Sequence, residues 1–158
     1  MARKANFALI GTGGVGRALL ETIISSREHH AATYGIWFNA CLVADSSGAV
    51  ALPSIADAKL RLALDAKAKG GKLSGLEGID GVRARPDGTS AADFLCDLVA
   101  ELEPESIVID CTATEDTILA LQVRATTRNA ARAAGASWRE AARRRRPGTP
   151  GRAAAAGG

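Results

Sequence analysis

The segment GTGGVG at residues 11–16 has the residue types and the spacing of a turn that binds a diphosphate. It follows a short apolar run, residues 6–10, and precedes a segment with helical periodicity. In such a turn Gly11 permits the sharp reversal, Gly13 lets the backbone approach the pyrophosphate, and Gly16 allows close packing of helix on strand. Free N–H groups and the positive dipole end of the new helix attract phosphate charge. The sequence therefore predicts dinucleotide contacts at Gly11, Thr12, Gly13, Gly14, Val15 and Gly16; the alternative is an ordinary glycine-rich turn.

A second β-prone run, residues 36–44, ends at Asp45 and Ser46. A helical crossover between it and the first strand predicts a parallel pair. A carboxylate at the carboxyl end of this strand can accept hydrogen bonds from adenosine ribose hydroxyls, so Asp45 and Ser46 are predicted cofactor contacts. Asp45 comes 29 residues after Gly16, whereas about 20 is usual. The alternative is that Asp45 only forms the turn at the strand end.

A third strong strand, residues 106–111, leads into Thr112 and Ala113. This turn is expected at the carboxyl edge of the sheet, where ligands of open α/β sheets bind. Thr112 and Ala113 are therefore predicted to contact the cofactor near its nicotinamide end. The alternative for Thr112 is plain helix capping, since Glu115 three residues later completes a capping box, and Asp110 is expected to anchor the turn.

The remaining helices and strands can also be placed from hydrophobic periodicity and from the positions of glycine and capping residues. The pattern of residues 54–69 predicts an exposed helix that ends at Gly70 and Gly71. A glycine-rich connection over residues 70–88 is predicted to contain a brief strand at 81–84, and Thr89 or Ser90 caps the next helix. The first helix is expected to bury one face formed by Val15, Ala18, Leu19, Thr22 and Ile23.

The fold class predicted from these elements is α/β: a Rossmann-type parallel sheet with helices on both faces, incomplete, and followed by a basic tail. Residues 1–123 are predicted to form the NAD(P)-binding domain. Residues 124–158 hold nine arginines and one glutamate among alanine and glycine, which predicts a disordered low-complexity tail.

Charge separates these two segments. The whole chain of 158 residues carries a formal net charge of +3, but residues 1–123 hold 11 Lys or Arg and 16 Asp or Glu. The globular part therefore has no basic surplus with which to hold a polyanion. Nucleic acid is not the expected partner, although the arginine run at residues 143–146 leaves contact of the tail with a polyanion as an alternative.

The sequence gives little support for a disulfide framework, a metal site or a membrane segment. Three cysteines are too few and too scattered for a disulfide framework or a zinc site, and they are interpreted as small packing residues. No metal site is expected. The chain has no apolar run of the roughly 20 residues that cross a bilayer, and its first strand begins too early for a leader. A cytoplasmic location without membrane contact is the expectation; a plastid form would need a leader.

The segments FALIGTGGVGRALLETI, VADSSG and IVIDCTATED resemble the N-terminal NAD(P)-binding domain of homoserine dehydrogenase over about residues 5–122. The resemblance implies that the glycine turn holds the pyrophosphate of NADP or NAD and that Thr112 approaches the cofactor. It also implies that the third strong strand lies beside the first strand, on the side away from the second. No arginine directly follows Asp45 to receive a 2′-phosphate, whereas Arg3 or Lys59 could lie near in space, so the choice between the two cofactors stays open.

The chain also departs from that family. An Asn-Lys-Lys-Pro-like element and a long substrate domain with the catalytic residues would follow, and the arginine-rich tail stands there instead. No catalytic residue is therefore assigned. The resemblance implies a fragment of an enzyme of threonine and methionine biosynthesis that interconverts L-homoserine and L-aspartate 4-semialdehyde with NAD(P). This fragment is expected to be inactive alone, and the oligomeric state of the full-length family member is left open. The alternatives are a noncatalytic nucleotide-binding module and another Rossmann reductase, such as one acting on dihydrodipicolinate.

Overall fold

A computed structural model describes residues 2–113 of the chain. Glu115, the domain boundary predicted after residue 123 and the arginine-rich segment lie outside the described residues. The helices and strands, in chain order, are β1 (Arg3–Ile10), α1 (Gly14–Tyr34), β2 (Ile36–Ala44), β3 (Gly48–Ala51), α2 (Asp57–Ala68), β4 (Val82–Ala84), α3 (Ala91–Ala100) and β5 (Ile107–Asp110).

The strands form one five-stranded sheet in the order β4-β3-β2-β1-β5. β1 pairs in parallel with β2 on one side and with β5 on the other, which confirms the expected position of the late strand. β3 is antiparallel to β2, and β4 is antiparallel to β3. β4 consequently runs in the same direction as β1, β2 and β5, so the carboxyl ends of these four strands meet at one edge of the sheet.

Helices cover both faces of this sheet. On one face, α1 and α2 pack against inward side chains of the central strands. That core contains Phe7, Leu9, Leu20, Ile24, Val43, Leu60 and Leu64. On the other face α3 packs against the alternate side chains, and that core contains Ala8, Ile10, Leu42, Ala44, Phe94, Leu95 and Leu98. The alternation follows from the two-residue period of side chains along a strand. The fold class predicted from the sequence, an incomplete Rossmann-type α/β fold, is confirmed.

Two details of the sheet differ from the sequence prediction. The sheet is mixed rather than parallel throughout, because the polar link after β2 turns back at once into β3, and β4, which follows α2 in the chain, pairs with β3. No strand was expected at β3, which has only four residues with two small alanines and a glycine. Its stability depends on pairing with β2 and on burial of Val50, and neither is visible in local sequence.

The buried face of α1 also differs from the predicted face. Gly16, Leu20 and Ile24 are buried, whereas Val15 is 72% exposed. Ala18 and Thr22 are exposed as well. Leu19 and Ile23 are partly buried and pack against the core, as predicted. The fully buried stripe is displaced by one residue, because the contact of Gly16 with the turn sets the rotation of the helix about its axis.

The start of α3 follows the predicted capping signal, whereas α2 begins at Asp57, three residues after the predicted start of its helix. Ser90 is the N-cap of α3, and its hydroxyl oxygen accepts a hydrogen bond from the Asp93 N–H at 3.0 Å. Gly35 follows α1 with φ of 65°, the left-handed conformation that commonly ends a helix. Among residues 2–113, no helix combines the length and the apolar character needed to span a bilayer.

Candidate functional site

The site begins where β1 ends and the chain reverses into α1. Gly11 has φ of 90°, and its N–H donates to the carbonyl oxygen of Ala44 at 2.8 Å. A Cβ on Gly11 would lie 2.7 Å from the carbonyl carbon of Cys111, and a Cβ on Gly16 would lie 1.9 Å from the carbonyl oxygen of Gly11. Both positions accept only glycine, since the chain segments touch there. The turn is therefore held against the ends of β2 and β5.

Gly13 and Gly14 are in the opposite situation. A Cβ at either position would have no described atom within 4 Å. Gly13 is the N-cap of α1 and has no side chain with which to accept a hydrogen bond from the first turn of the helix. The free N–H groups and the positive end of the helix dipole consequently face open space, which fits a diphosphate. Val15, also in this first turn, is exposed beside it.

Polar groups lie on the β5 side of the turn. The N–H of Thr112 donates to Oδ1 of Asp110 at 2.8 Å, so Asp110 anchors this turn as expected. Thr12 is 4% exposed. The hydroxyls of Thr12 and Thr112 are both buried without a hydrogen-bond partner among the described residues. Buried hydroxyls normally have partners, so these two groups mark positions where a bound ligand could complete the hydrogen bonding. Ala113 follows Thr112 and is exposed.

Asp45 lies at the end of β2, where the sequence placed it, but its carboxylate is engaged within the protein. Oδ1 accepts hydrogen bonds from the N–H and the hydroxyl of Ser47, at 2.7 and 2.6 Å, and from the N–H of Gly48 at 3.0 Å. Oδ2 accepts from Nζ of Lys67 at 2.8 Å. This geometry favours the alternative in which Asp45 forms the turn. Its contact with a ribose stays a prediction, as does that of exposed Ser46.

The electrostatics of Asp45 agree with these contacts. Burial by itself raises the pKa of the carboxyl, but the hydrogen bonds from Lys67 and Ser47 outweigh it, and the pKa is lowered from the ordinary value of 3.8. Asp45 is 8% exposed, and it is ionised and paired with Lys67 at neutral pH. The end of β2 therefore presents no free negative charge from this residue.

Sequence reasoning missed Arg85 at this edge. The residue follows β4, and its N–H donates to the carbonyl oxygen of Ser47 at 2.9 Å. Its Nε donates to the carbonyl oxygen of Ser46 at 2.8 Å, and Nη1 donates to the carbonyl oxygen of Thr89. Pairing of β4 with β3 brings Arg85 beside the turn after β2. No sequence motif signals this contact between residues 39 positions apart.

The cysteines take packing positions. Burial raises the pKa of the Cys41 thiol, and burial together with Asp110 raises that of Cys111. Cys41 is the extra residue of a bulge in β2, and its thiol donates to the carbonyl oxygen of Phe7 at 3.0 Å. Raised pKa values favour the unreactive thiol form, which supports the interpretation of these cysteines as packing residues. The residues described contain no cluster of three or more metal-ligating side chains.

A cleft of about 410 Å³ lies at the opposite, amino edge of the sheet. Lys4, Asn6 and Ser106 border it near the starts of β1 and β5, and Arg83 and Glu101 form an ion pair at its rim with a 2.5 Å separation. None of the residues predicted to bind the cofactor borders this cleft. Those residues meet instead at the carboxyl edge.

An open α/β sheet with a glycine turn at its carboxyl edge defines the Rossmann-like class of folds. The chain is similar to a hyperthermophilic archaeal homoserine dehydrogenase solved in complex with NADPH, with a TM-score of 0.56 and 25% identity. The match covers 75% of this chain and 31% of that protein. A mutant of a hyperthermophilic archaeal homoserine dehydrogenase, also with NADPH, matches with a TM-score of 0.48 and 26% identity over 68% of this chain and 28% of that one. The chain thus spans less than a third of either protein. No protein-family profile and no curated protein sequence matches it.

Proposed function

We propose that residues 1–123 form the NAD(P)-binding domain of a homoserine dehydrogenase. The observation that carries the proposal is the open helix start at Gly13, held in place by the tight contacts of Gly11 and Gly16. The similarity to an archaeal homoserine dehydrogenase with bound NADPH, which covers 75% of this chain, supports the proposal. NADPH or NADH is the proposed ligand, because each has the diphosphate that such a helix start attracts.

In this proposal different groups at the carboxyl edge contact different parts of the dinucleotide. The N–H groups at residues 13–16 hold the pyrophosphate. The hydroxyls of Thr12 and Thr112 donate to or accept from the bound dinucleotide, which gives both buried groups a partner. Ala113 leaves room for the nicotinamide end, and Ser46 lies towards the adenosine end. When bound, the nicotinamide supplies hydride transfer to or from the substrate carbon.

The proposed reaction of the complete enzyme is the interconversion of L-homoserine and L-aspartate 4-semialdehyde, in threonine and methionine biosynthesis. Positioning the substrate against the nicotinamide needs groups beyond the cofactor site. We assign no catalytic residue within residues 2–113. The chain would bind the cofactor and contribute its orientation. Membrane and nucleic acid have no part in the proposal, and residues 124–158 are proposed to be separate from the binding domain.

Calorimetric titration of the purified chain with NADPH and NADH tests the proposal. Gly13→Val should weaken the binding of both by about tenfold or more, which corresponds to about 1.4 kcal/mol. The melting temperature should stay near that of the parent chain, because a side chain at Gly13 meets no described protein atom and would fill only the phosphate position.

Ala32→Val is the matched control, since it adds a similar volume on α1 at an exposed position far from the turn. This variant should bind both dinucleotides as the parent does. Absence of binding to a folded parent chain, or unchanged affinity in Gly13→Val, would overturn the proposed function.

A further inference from the structure

The carboxyl edge contains a fixed cation beside the turn that follows β2. β3 is antiparallel to both β2 and β4, so β4 runs in the same direction as β2. Arg85, which follows β4, therefore lies at the same edge of the sheet as Gly11 and Asp45. Two carbonyl oxygens, of Ser46 and Thr89, accept hydrogen bonds from its guanidinium. An arginine has five N–H donors. Three of them are therefore left for another acceptor.

Lys67, the cation nearest to Asp45 at this edge, is paired with its carboxylate at 2.8 Å. Within the described part of the chain, no carboxylate lies within ion-pair distance of the Arg85 guanidinium. Arg85 is exposed. A guanidinium that is held by backbone carbonyls and lacks an acidic partner is suited to a phosphate dianion.

The state of Asp45 adds an independent argument. A free carboxylate after the second strand would accept hydrogen bonds from both ribose hydroxyls and would repel a 2′-phosphate. Here both carboxylate oxygens accept hydrogen bonds from the protein, and Lys67 neutralises the charge. The end of β2 therefore lacks the group that selects NAD and has, in Arg85 with the exposed Ser46 beside it, groups that attract a phosphate.

We propose that Arg85 selects NADP(H) over NAD(H) by binding the 2′-phosphate of the adenosine ribose. This inference rests on the proposed function, because it requires that the dinucleotide lie across the carboxyl edge with its adenosine end at β2. Arg85 does not touch the reacting atoms; it determines which cofactor binds. The carbonyl contacts of Ser46 and Thr89 place the guanidinium before the ligand arrives, so little side-chain entropy is lost on binding.

The test compares NADPH with NADH in one set of calorimetric titrations. Arg85→Met should weaken NADPH binding by about 10- to 100-fold, as expected when hydrogen bonds to a charged group are lost, and should change NADH binding by less than about threefold. Arg85→Lys keeps the charge without the planar fork and should lie between these values. NADH affinity serves as the measure that each variant is folded.

Arg83→Met is the matched control, since Arg83 is an exposed arginine two positions earlier whose charge is paired with Glu101 at the opposite edge. It should leave the ratio of NADPH to NADH affinity unchanged.

A second pair of probes, 2′,5′-ADP and ADP, isolates the adenosine end of the cofactor. Arg85→Met should weaken the binding of 2′,5′-ADP and leave the binding of ADP unchanged. Unchanged NADPH affinity in Arg85→Met, or equal losses for both cofactors, would overturn the inference on Arg85 alone. A parent chain that binds neither cofactor would overturn the proposed function and this inference with it.

Discussion

At the scale of single residues, Asp45 shows how one side chain can satisfy two different interpretations of the same sequence. A carboxylate that ends a strand can bind a ribose or close a turn, and both roles need hydrogen-bond donors. The structure supplies the donors from within, through Ser47, Gly48 and Lys67. The contacts that hold the turn therefore also remove the free charge from the end of β2.

Replacing Asp45 by asparagine should lower the free energy of unfolding at pH 7 by about 2–4 kcal/mol, because Lys67 loses its partner in a mostly buried setting. Urea unfolding measures the change. Asp80→Asn is the control, since Asp80 is also paired with a lysine but its side chain is 88% exposed. That variant should unfold nearly as the parent chain does. Equal effects in both variants would contradict the assignment of a structural role to Asp45.

The loss at Asp45 should depend on pH. Because the pKa of Asp45 is lowered in the folded chain, its ionised form stabilises the fold above the unfolded pKa of about 3.9. This contribution is lost as the pH falls through the folded pKa. The difference in unfolding free energy between the parent and Asp45→Asn should therefore shrink below about pH 4. A difference that stays constant from pH 7 to pH 3 would contradict the pairing.

At the scale of secondary-structure elements, the turn between β1 and α1 divides its glycines by function. Gly11 and Gly16 are needed by the fold, because other backbone atoms occupy the space of a side chain. Gly13 and Gly14 border open space and are available to a ligand. A sequence motif shows only the spacing of four glycines, and it does not separate packing from binding.

Gly16→Ala should destabilise the chain by about 3 kcal/mol or more, because the added Cβ would lie 1.9 Å from a carbonyl oxygen and the helix would have to move off β1. Gly14→Ala, at the first residue of α1, should be neutral or slightly stabilising, since alanine has the higher helix propensity and no described atom obstructs it. Thermal unfolding followed by circular dichroism compares the two. Similar melting temperatures for both variants would exclude this division of the turn.

At the scale of the whole molecule, the chain matches less than a third of the dehydrogenase whose fold it shares. In the proposed function the carboxyl edge holds the cofactor, and no catalytic residue is assigned among residues 2–113. Cofactor binding and turnover are therefore tested separately. A noncatalytic nucleotide-binding module is the alternative that activity measurements on the chain must address.

The 158-residue chain should bind NADPH without oxidising L-homoserine. At a ligand concentration of about 100 times the dissociation constant, binding should stabilise the folded chain by about 2.7 kcal/mol. Differential scanning fluorimetry measures the resulting shift, and absorbance at the reduced nicotinamide band measures turnover. Formation of NADPH from NADP and homoserine by the pure chain would show that catalytic groups are present that the proposal does not include.

The features that could be predicted from the sequence are those that depend on neighbouring residues. β2 and β5 are short apolar runs with clear ends, and Ser90 is a local cap, so their positions agree with the prediction to within one residue. β1 ends where predicted but begins at Arg3, three residues before the apolar run. β3 is too short and too small in its side chains to be recognised without its partner β2. The rotation of α1 depends on a contact between Gly16 and Gly11, and periodicity alone placed the buried face one residue away.

The sequence by itself determined the order of strand, glycine turn and helix, because hydrophobic periodicity and glycine placement act over a few residues. Only the tertiary structure decided which charges lie at the carboxyl edge of the sheet. Strand pairing brings Arg85 beside Ser46, and folding of α2 against the sheet brings Lys67 to Asp45. Interactions between residues that are 22 and 39 positions apart depend on the whole path of the chain, and no local pattern contains them.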